Sequence, residues 1–221
     1  MSIKREIKIL QKADDLKILR TKLTAGKSTP IPSISLCAGT GCRAAGSDEV
    51  RDAFAKEIKK QKLQVNVQLK ETGCHGFCEQ GPIVVIGPKR IFYQRVQPED
   101  IPEIISETVV KGNVIERLLY VDPLTDKKII YEPDISFYKK QTRIILSANG
   151  EIVPTEIDDY IAIDGYSALS KVLQKMSPDE VIGEVKKSGL RGRGGAGFST
   201  GGKWELCRKA KGDVKYVICN A

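Results

Sequence analysis

Two pairs of cysteines constrain this chain more than any other feature. Cys37 and Cys42 enclose four residues in "LCAGTGCRAAG", and Cys74 and Cys78 enclose three in "TGCHGFCEQGP". Cys37 closes a short apolar strand, "SISLC" at 33–37. Ser47 is a candidate N-cap with Asp48 and Glu49 in the first turn. Val50, Phe54 and Ile58 then fall at i, i+4 and i+8, which predicts a helix over 48–62. The alternation of "QVNVQLK" predicts a strand over 64–70. Strand, helix and strand in that order make a right-handed crossover with parallel strands. Both cysteine pairs then follow the C-terminal strand ends, the edge at which open α/β sheets bind ligands.

Four thiolates brought to one edge suit zinc or an iron–sulfur cluster. Structural zinc sites favour tight C-x2-C knuckles, and neither pair is one. Wider loops suit a [2Fe–2S] cluster, in which each iron takes two cysteines. Ala38, Gly39, Thr40, Gly41, Gly73 and Gly76 are small enough for backbone N–H groups to approach the sulfurs. His75 is the only histidine. A Rieske centre needs two on one iron, so His75 is read as shaping the loop or as hydrogen-bonding beside it. The N-terminus "MSIKREIKIL" is charged throughout, and no apolar run reaches the roughly 18 residues of a membrane span. The expectation is a cytoplasmic chain, in which clustered cysteines bind metal rather than form disulfides.

The rest of the chain divides by texture. Residues 3–24 predict a helix with Ile9, Leu16, Leu19 and Leu23 on one face, stopped at Gly26, and 1–30 form an N-terminal helix and linker. "PIVVIG" and "RIFYQRV" flank Gly87-Pro-Lys-Arg90 as a hairpin, and 98–111 form a helix closed by Gly112. A domain over 31–112 results. Residues 113–155, broken by Pro, Gly and Asp, predict an extended connector. Helices are expected over 156–176 and 178–188, the latter with Pro178 in its first turn. "DVKYVICNA" predicts a buried strand, and Cys207 and Cys219 are expected as small buried apolar residues. The formal charge of +8 is spread along the chain among 28 acids. No basic block or recognition motif stands out, so nucleic acid is not expected as a partner.

"GLRGRGGAGFSTGGKW" contains G-x-G-x-x-G and G-x4-G-K. Neither context fits. The first follows a charged, helix-like segment rather than a strand, and Trp204 stands where a Walker A motif needs Ser or Thr. Successive glycines still expose N–H groups to an anion, and Arg191, Arg193 and Lys203 add charge, so the segment points to phosphate.

The cysteine pattern over about 33–111 resembles the thioredoxin-like [2Fe–2S] ferredoxins, a domain also found in a subunit of respiratory NADH dehydrogenase. "LRGRGGAGFSTGGKW" and "YVICNA" resemble the flavin-binding loop and strand of the FMN-containing subunit of respiratory complex I. With a ferredoxin domain ahead of them, and with "SFYKKQTRIIL" and "IDDYIAIDGYSAL", the chain is similar to flavin-bearing β subunits of NAD-linked, often electron-bifurcating hydrogenases and formate dehydrogenases. The resemblance implies an α/β ferredoxin domain followed by the start, 156–221, of a complex I flavin-subunit-like α/β domain. It implies a [2Fe–2S] cluster on Cys37, Cys42, Cys74 and Cys78. It implies FMN against Gly192, Arg193, Gly194, Lys203 and Asn220, with NAD(H) near Gly195, Ala196 and Phe198. It also implies an NADH dehydrogenase-type subunit working with other subunits of a redox complex, without membrane insertion. That family continues well past this point, so the chain is expected to be truncated or one piece of a longer polypeptide. By itself it is expected to be catalytically incomplete and to bind FMN poorly. Two alternatives stay open: a stand-alone [2Fe–2S] electron carrier with a non-catalytic tail, and a zinc-stabilised interaction domain.

Overall fold

The computed structural model describes residues 9–25, 31–216 and 218. The chain forms two compact units, Met1–Ile163 and Asp164–Ala221.

In the first unit, α1 covers Ala13–Ala25. The start expected at residue 3 and the stop at Gly26 lie outside the described residues, and residues 9–12 are not helical. Asp15 accepts hydrogen bonds from the backbone N–H of Gln11 and Lys12, which caps the helix there. Ile9 is exposed rather than on a buried face, and Leu16 is the buried residue of α1. Next come β1 (Ser33–Cys37), α2 (Thr40–Ala44), α3 (Ser47–Lys60), β2 (Gln68–Thr72), β3 (Val84–Ile86) and β4 (Ile91–Tyr93). The order across the sheet is β2-β1-β3-β4. The crossover is as expected: β1 and β2 pair in parallel from Ser33↔Gln68 to Cys37↔Thr72.

The short helix α2, which holds Cys42, begins at Thr40, and the carbonyls of Gly39 and Gly41 accept from Arg43 and Ala45. Two expectations here need correction. Ser47 is the first residue of α3 and not its cap, which is Gly46 in the left-handed region at φ 97°. The second strand lies at 68–72 instead of 64–70, since register with β1 sets the ladder and leaves Val65 exposed.

The hairpin β3–β4 forms as read, Val84↔Tyr93 to Ile86↔Ile91. Its residues are buried on both faces. Val84, Ile86, Ile91 and Tyr93 join Val50, Phe54 and Ile58 of α3 in one apolar cluster. The helical segment after β4 closes the same face. It runs as 3-10 over Pro98–Asp100, as α4 over Ile101–Glu103 and as a π-helix over Ile104–Val110.

Val85 and Phe92 point the other way, into a second cluster with Cys37, Cys42, Ile83, Tyr120 and Ile135. A strand apolar on both faces needs a cover on both. The second cover is the segment expected to be an extended connector. It holds the hairpin β5 (Tyr120–Asp122) and β6 (Lys127–Ile129) and the short helix α5 (Ser136–Lys139). The helix α6 (Ile157–Ala162) ends this unit.

The second unit contains α7 (Ser167–Lys175), α8 (Pro178–Lys187) and α9 (Thr200–Lys209). The single helix expected over 156–176 is interrupted at Asp164-Gly165-Tyr166, where Asp164 and Tyr166 take positive φ. Pro178 sits in the first turn of α8 behind a Ser177–Glu180 capping box. The strand expected at 214–219 is not seen in its described residues. Val214, Tyr216 and Ile218 are exposed, and among the described residues no strand pairs with them. Cys219 and Asn220 lie outside the described residues. Cys207 is half-buried and not fully enclosed. Among the described residues no helix is long and apolar enough to cross a membrane.

Candidate functional site: two cysteine pairs at one sheet end

β1 delivers Cys37 as its last residue, and α2 carries Cys42. β2 ends at Thr72, two residues before Cys74, and Cys78 opens a 3-10 turn. The fold therefore brings all four cysteines to the C-terminal ends of the parallel strands. Cys37 and Cys42 are buried, Cys74 is half-buried and Cys78 is exposed. The sulfurs of Cys74 and Cys78 lie 3.6 Å apart. Among the described residues no three His, Cys, Asp or Glu side chains converge as they would around one metal ion. The sulfurs stand as two neighbouring pairs.

The surroundings pull the Cys37 thiol down and push those of Cys42 and Cys74 up. A hydrogen bond from Cys42 pulls the Cys37 thiol down to about 5 against burial, helped by backbone N–H groups of His75 and Gly39. Cys42, the donor of that bond, is pushed up by it and by burial. Burial also pushes Cys74 up, although the N–H of Gly76 donates to its sulfur at 3.3 Å. Backbone amides aimed at sulfur are what a bound iron–sulfur cluster uses.

The glycines between the two loops are spacers as well as amide donors. A Cβ on Gly39 would stand 2.9 Å from the Cβ of Cys74, and one on Gly41 2.9 Å from the Cβ of Cys78. A Cβ on Gly81 would meet the Cys42 sulfur at 2.9 Å. Only glycine lets the two loops approach this closely. Four thiols, amide donors and a side-chain-free gap fit a [2Fe–2S] group.

His75 is enclosed, with 1% of its surface exposed. Its Nε2 lies 3.0 Å from the Thr72 hydroxyl and its Nδ1 2.9 Å from Glu132. Both ring nitrogens are engaged by protein, so His75 orders the loop and offers no free nitrogen to a metal. The other Glu132 oxygen bonds Arg90, and Arg143 donates to the His75 carbonyl. Burial raises the Glu132 carboxyl, but the His75 hydrogen bond and the charges of His75 and Arg90 outweigh it and hold Glu132 below its ordinary value. Phe77, between Cys74 and Cys78, stacks on Phe137 at 4.5 Å and meets Tyr120 and Tyr138 edge-on. Sequence reading missed Glu132, Arg143, Phe137 and Tyr138, which reach the cysteine loop from the connector. The one available signal was the doubly apolar hairpin, which demanded a second cover.

In the second unit the glycine segment closes on itself. Arg191 and Ser199 form an antiparallel bridge, and Gly192 N–H donates to the Phe198 carbonyl at 2.8 Å. Gly195 and Gly197 take the left-handed region. The loop leads straight into α9, capped by Ser199, which accepts from Gly202 N–H. Gly194 and Ala196 lie in this loop, Arg193 folds back on the Arg191 carbonyl, and Lys203 sits over the Phe198 ring at 5.8 Å in the first turn of α9. A glycine loop feeding a helix N-terminus is an anion-binding arrangement. Gly201 has a different role. A Cβ there would press on the Lys186 backbone N at 2.7 Å, so it permits α8 and α9 to touch.

Comparison with known proteins agrees with both regions. Residues 27–109 match the thioredoxin-like [2Fe–2S] ferredoxin family, and residues 185–221 match the Nuo51 FMN-binding domain. The "Ferredoxin, 2Fe-2S" of Clostridium pasteurianum is 36% identical over 77 residues, 35% of this chain and 76% of that one. The NADP-reducing hydrogenase subunit HndC of Solidesulfovibrio fructosivorans is 58% identical over 83 residues, 38% of this chain. The NAD-reducing hydrogenase HoxS subunit alpha of Cupriavidus necator is 30% identical over 202 residues, 85% of this chain. The chain spans only 17% and 29% of the lengths of these two hydrogenase subunits. It belongs to the thioredoxin-like [2Fe–2S] ferredoxin family, joined here to the start of a Nuo51 FMN-binding domain.

Proposed function

We propose that this chain carries electrons within an NAD(H)-linked flavin and iron–sulfur oxidoreductase, as a subunit working beside other subunits of a redox complex in the cytoplasm. The observation that carries the reading is the pairing of four cysteines across a gap kept open by Gly39, Gly41 and Gly81. Cys37 and Cys42 would hold one iron and Cys74 and Cys78 the other. When bound, a [2Fe–2S] cluster supplies one-electron chemistry and FMN the exchange of a hydride with NAD(H).

The residues of the chain do the rest. Amides of Gly39, His75, Ile83 and Gly76 donate to the cysteine sulfurs and hold negative charge there. Phe77, Phe137 and Tyr138 exclude water from one side of the sulfurs, while exposed Cys78 leaves an edge for electron exchange. In the second unit, Gly192, Arg193, Gly194 and Lys203, with Asn220, would contact FMN, and Gly195, Ala196 and Phe198 would lie near the nicotinamide nucleotide. Similarity to the HoxS and HndC subunits and the geometry of the glycine loop support this second part.

Anaerobic purification tests the proposal. Two irons and two acid-labile sulfides per chain are expected, with visible absorption that serine at any of Cys37, Cys42, Cys74 or Cys78 weakens or removes. Serine at Cys207 should leave it in place. Stoichiometric zinc without sulfide would refute the cluster. FMN titration tests the loop: binding is expected to weaken in Arg193→Ala and Lys203→Ala.

A further inference from the structure

The four-stranded sheet has two edges, and they are treated differently. Beyond β4, Ile91 and Tyr93 bridge to Tyr131 and Leu119, and the N–H groups of Phe92 and Gln94 donate to the carbonyls of Ile130 and Leu118. β2 is the other edge. Its Gln68 N–H donates to the Pro32 carbonyl, and its Thr72 carbonyl accepts from Ala38 N–H, both at 3.0 Å. Successive residues of a strand send their backbone groups to opposite sides. Gln68, Lys70 and Thr72 therefore face β1, and Leu69 and Glu71 turn theirs outward. Among the described residues, no backbone bond outside the ladder reaches Leu69 or Glu71.

That edge is one side of a cleft of about 800 Å3, which Val153, Glu156 and Asp159 line from the other side. The far side lends nothing to β2. Val153 N–H donates to Asp159 and Glu156 N–H to the Val153 carbonyl, each at 3.0 Å. The charges are also unevenly matched. Arg43 and Arg51 are taken up by Asp48, Asp52 and Glu71. Lys70 and Glu156 line the cleft, and among the described residues neither has an oppositely charged side chain within ion-pair distance.

We infer that the outer edge of β2 receives an extended segment of a partner subunit as a fifth strand, bonded to the backbone of Leu69 and Glu71, with a basic side chain for Glu156 and an acidic one for Lys70. That the partner is a subunit of the same redox complex rests on the reading above. Backbone bonds hold an added strand, and side-chain pairs fix its register. Lys70 and Glu71 bar unselected apolar strands, as charges on a sheet edge do. The wall across the cleft admits a single strand and obstructs a whole second sheet. The occupant is therefore a peptide segment rather than β2 of another copy.

The test titrates short overlapping peptides, which together tile the subunits encoded beside this chain, into the isotope-labelled full chain. One carrying both a basic and an acidic residue is expected to bind and to slow amide exchange at Leu69 and Glu71. Glu71→Pro removes an outward N–H without costing a bond to β1, and should weaken that peptide about tenfold. Glu71→Ala loses the same side chain, keeps the N–H, and should keep the binding. Thermal unfolding is followed for each variant. Should Glu71→Pro fail to fold, amide exchange in the natural chain decides alone. Absence of any binding peptide overturns the inference, as does binding that leaves both amides exchanging as before. Equal binding by Glu71→Pro overturns it, and so does an equal loss in Glu71→Ala, which would assign the contact to the side chain. Self-association that Glu71→Pro abolishes would give the edge to a second copy and overturn it too. Iron and sulfide in the natural chain test the functional reading separately: their absence, with both amides still protected by a peptide, removes the cluster and leaves the docking edge in place.

Discussion

His75 Nδ1 lies 2.9 Å from Glu132 Oε1, across 57 positions of sequence. Both residues are buried, and Glu132 is held as a carboxylate, so Nδ1 carries the proton and donates. The bond ties the cysteine loop to a segment outside the family match. It also commits the Nδ1 of the histidine beside Cys74 to a carboxylate.

His75→Ala tests that role. The variant should retain two irons and two sulfides, because the four thiolates remain. It should lose about 2 kcal/mol of stability, since one oxygen of Glu132 is left unpaired while Arg90 still covers the other and Thr72 keeps its bond to the Leu36 carbonyl. Thermal unfolding measured alongside iron content checks both. Complete loss of iron would show that His75 does more than order the loop.

The same pair gives a pH dependence. The folded value of Glu132 lies below its ordinary 4.5. Folding therefore favours the deprotonated form, and the stability that Glu132 contributes is fully present above about pH 4.5. It fades as the pH falls through the lowered folded value. Urea midpoints of the natural chain and Glu132→Gln, followed by circular dichroism, should differ at neutral pH and converge as the pH falls below the ordinary carboxylate value. A gap that stays constant with pH would contradict the assignment.

The glycine spacers make a sharper test of the cysteine site. Gly39→Ala and Gly41→Ala each force a methyl to within 2.9 Å of a cysteine Cβ on the opposite loop. The loops must part, at about 1–3 kcal/mol. Most of the bound iron should be lost, with visible absorption falling in proportion. Full iron occupancy in both variants would mean that the gap is not where the group sits.

How much of this was legible in the sequence depended on the range of each signal. Apolar runs identified β1 and the β3–β4 hairpin, and the spacing of Val50, Phe54 and Ile58 identified α3, because those patterns are local. The cysteine pairs reached the expected sheet end because the crossover is topologically forced. The second strand was misplaced because alternation at 64–67 mimics a ladder that only register with β1 decides. Glu132 and Tyr138 had no local signature. Their partners lie tens of residues away, and only the tertiary fold brings them together.

In the second unit, Gly201 and Gly183 form a matched pair. Gly201→Ala should loosen α8 from α9, raising hydrogen exchange across both helices, because its methyl meets the Lys186 backbone. Gly183, inside α8, faces open space. Gly183→Ala should stabilise that helix by about 0.5–1 kcal/mol. Equal effects of the two would rule out helix contact as the reason for Gly201.

The cover over Phe77 and His75 has a consequence for heredity as much as for chemistry. The family match ends at residue 109, yet the side chains that enclose the second cysteine loop come from Glu132, Phe137, Tyr138 and Arg143. The inherited module and the physical module have different borders. A recombination event at residue 112 would transplant the cysteines without their enclosure, and the new neighbours would set their solvent access. Exchange at a border beyond Gly150, whose missing side chain makes room for the His75 ring, would move the centre with its surroundings intact.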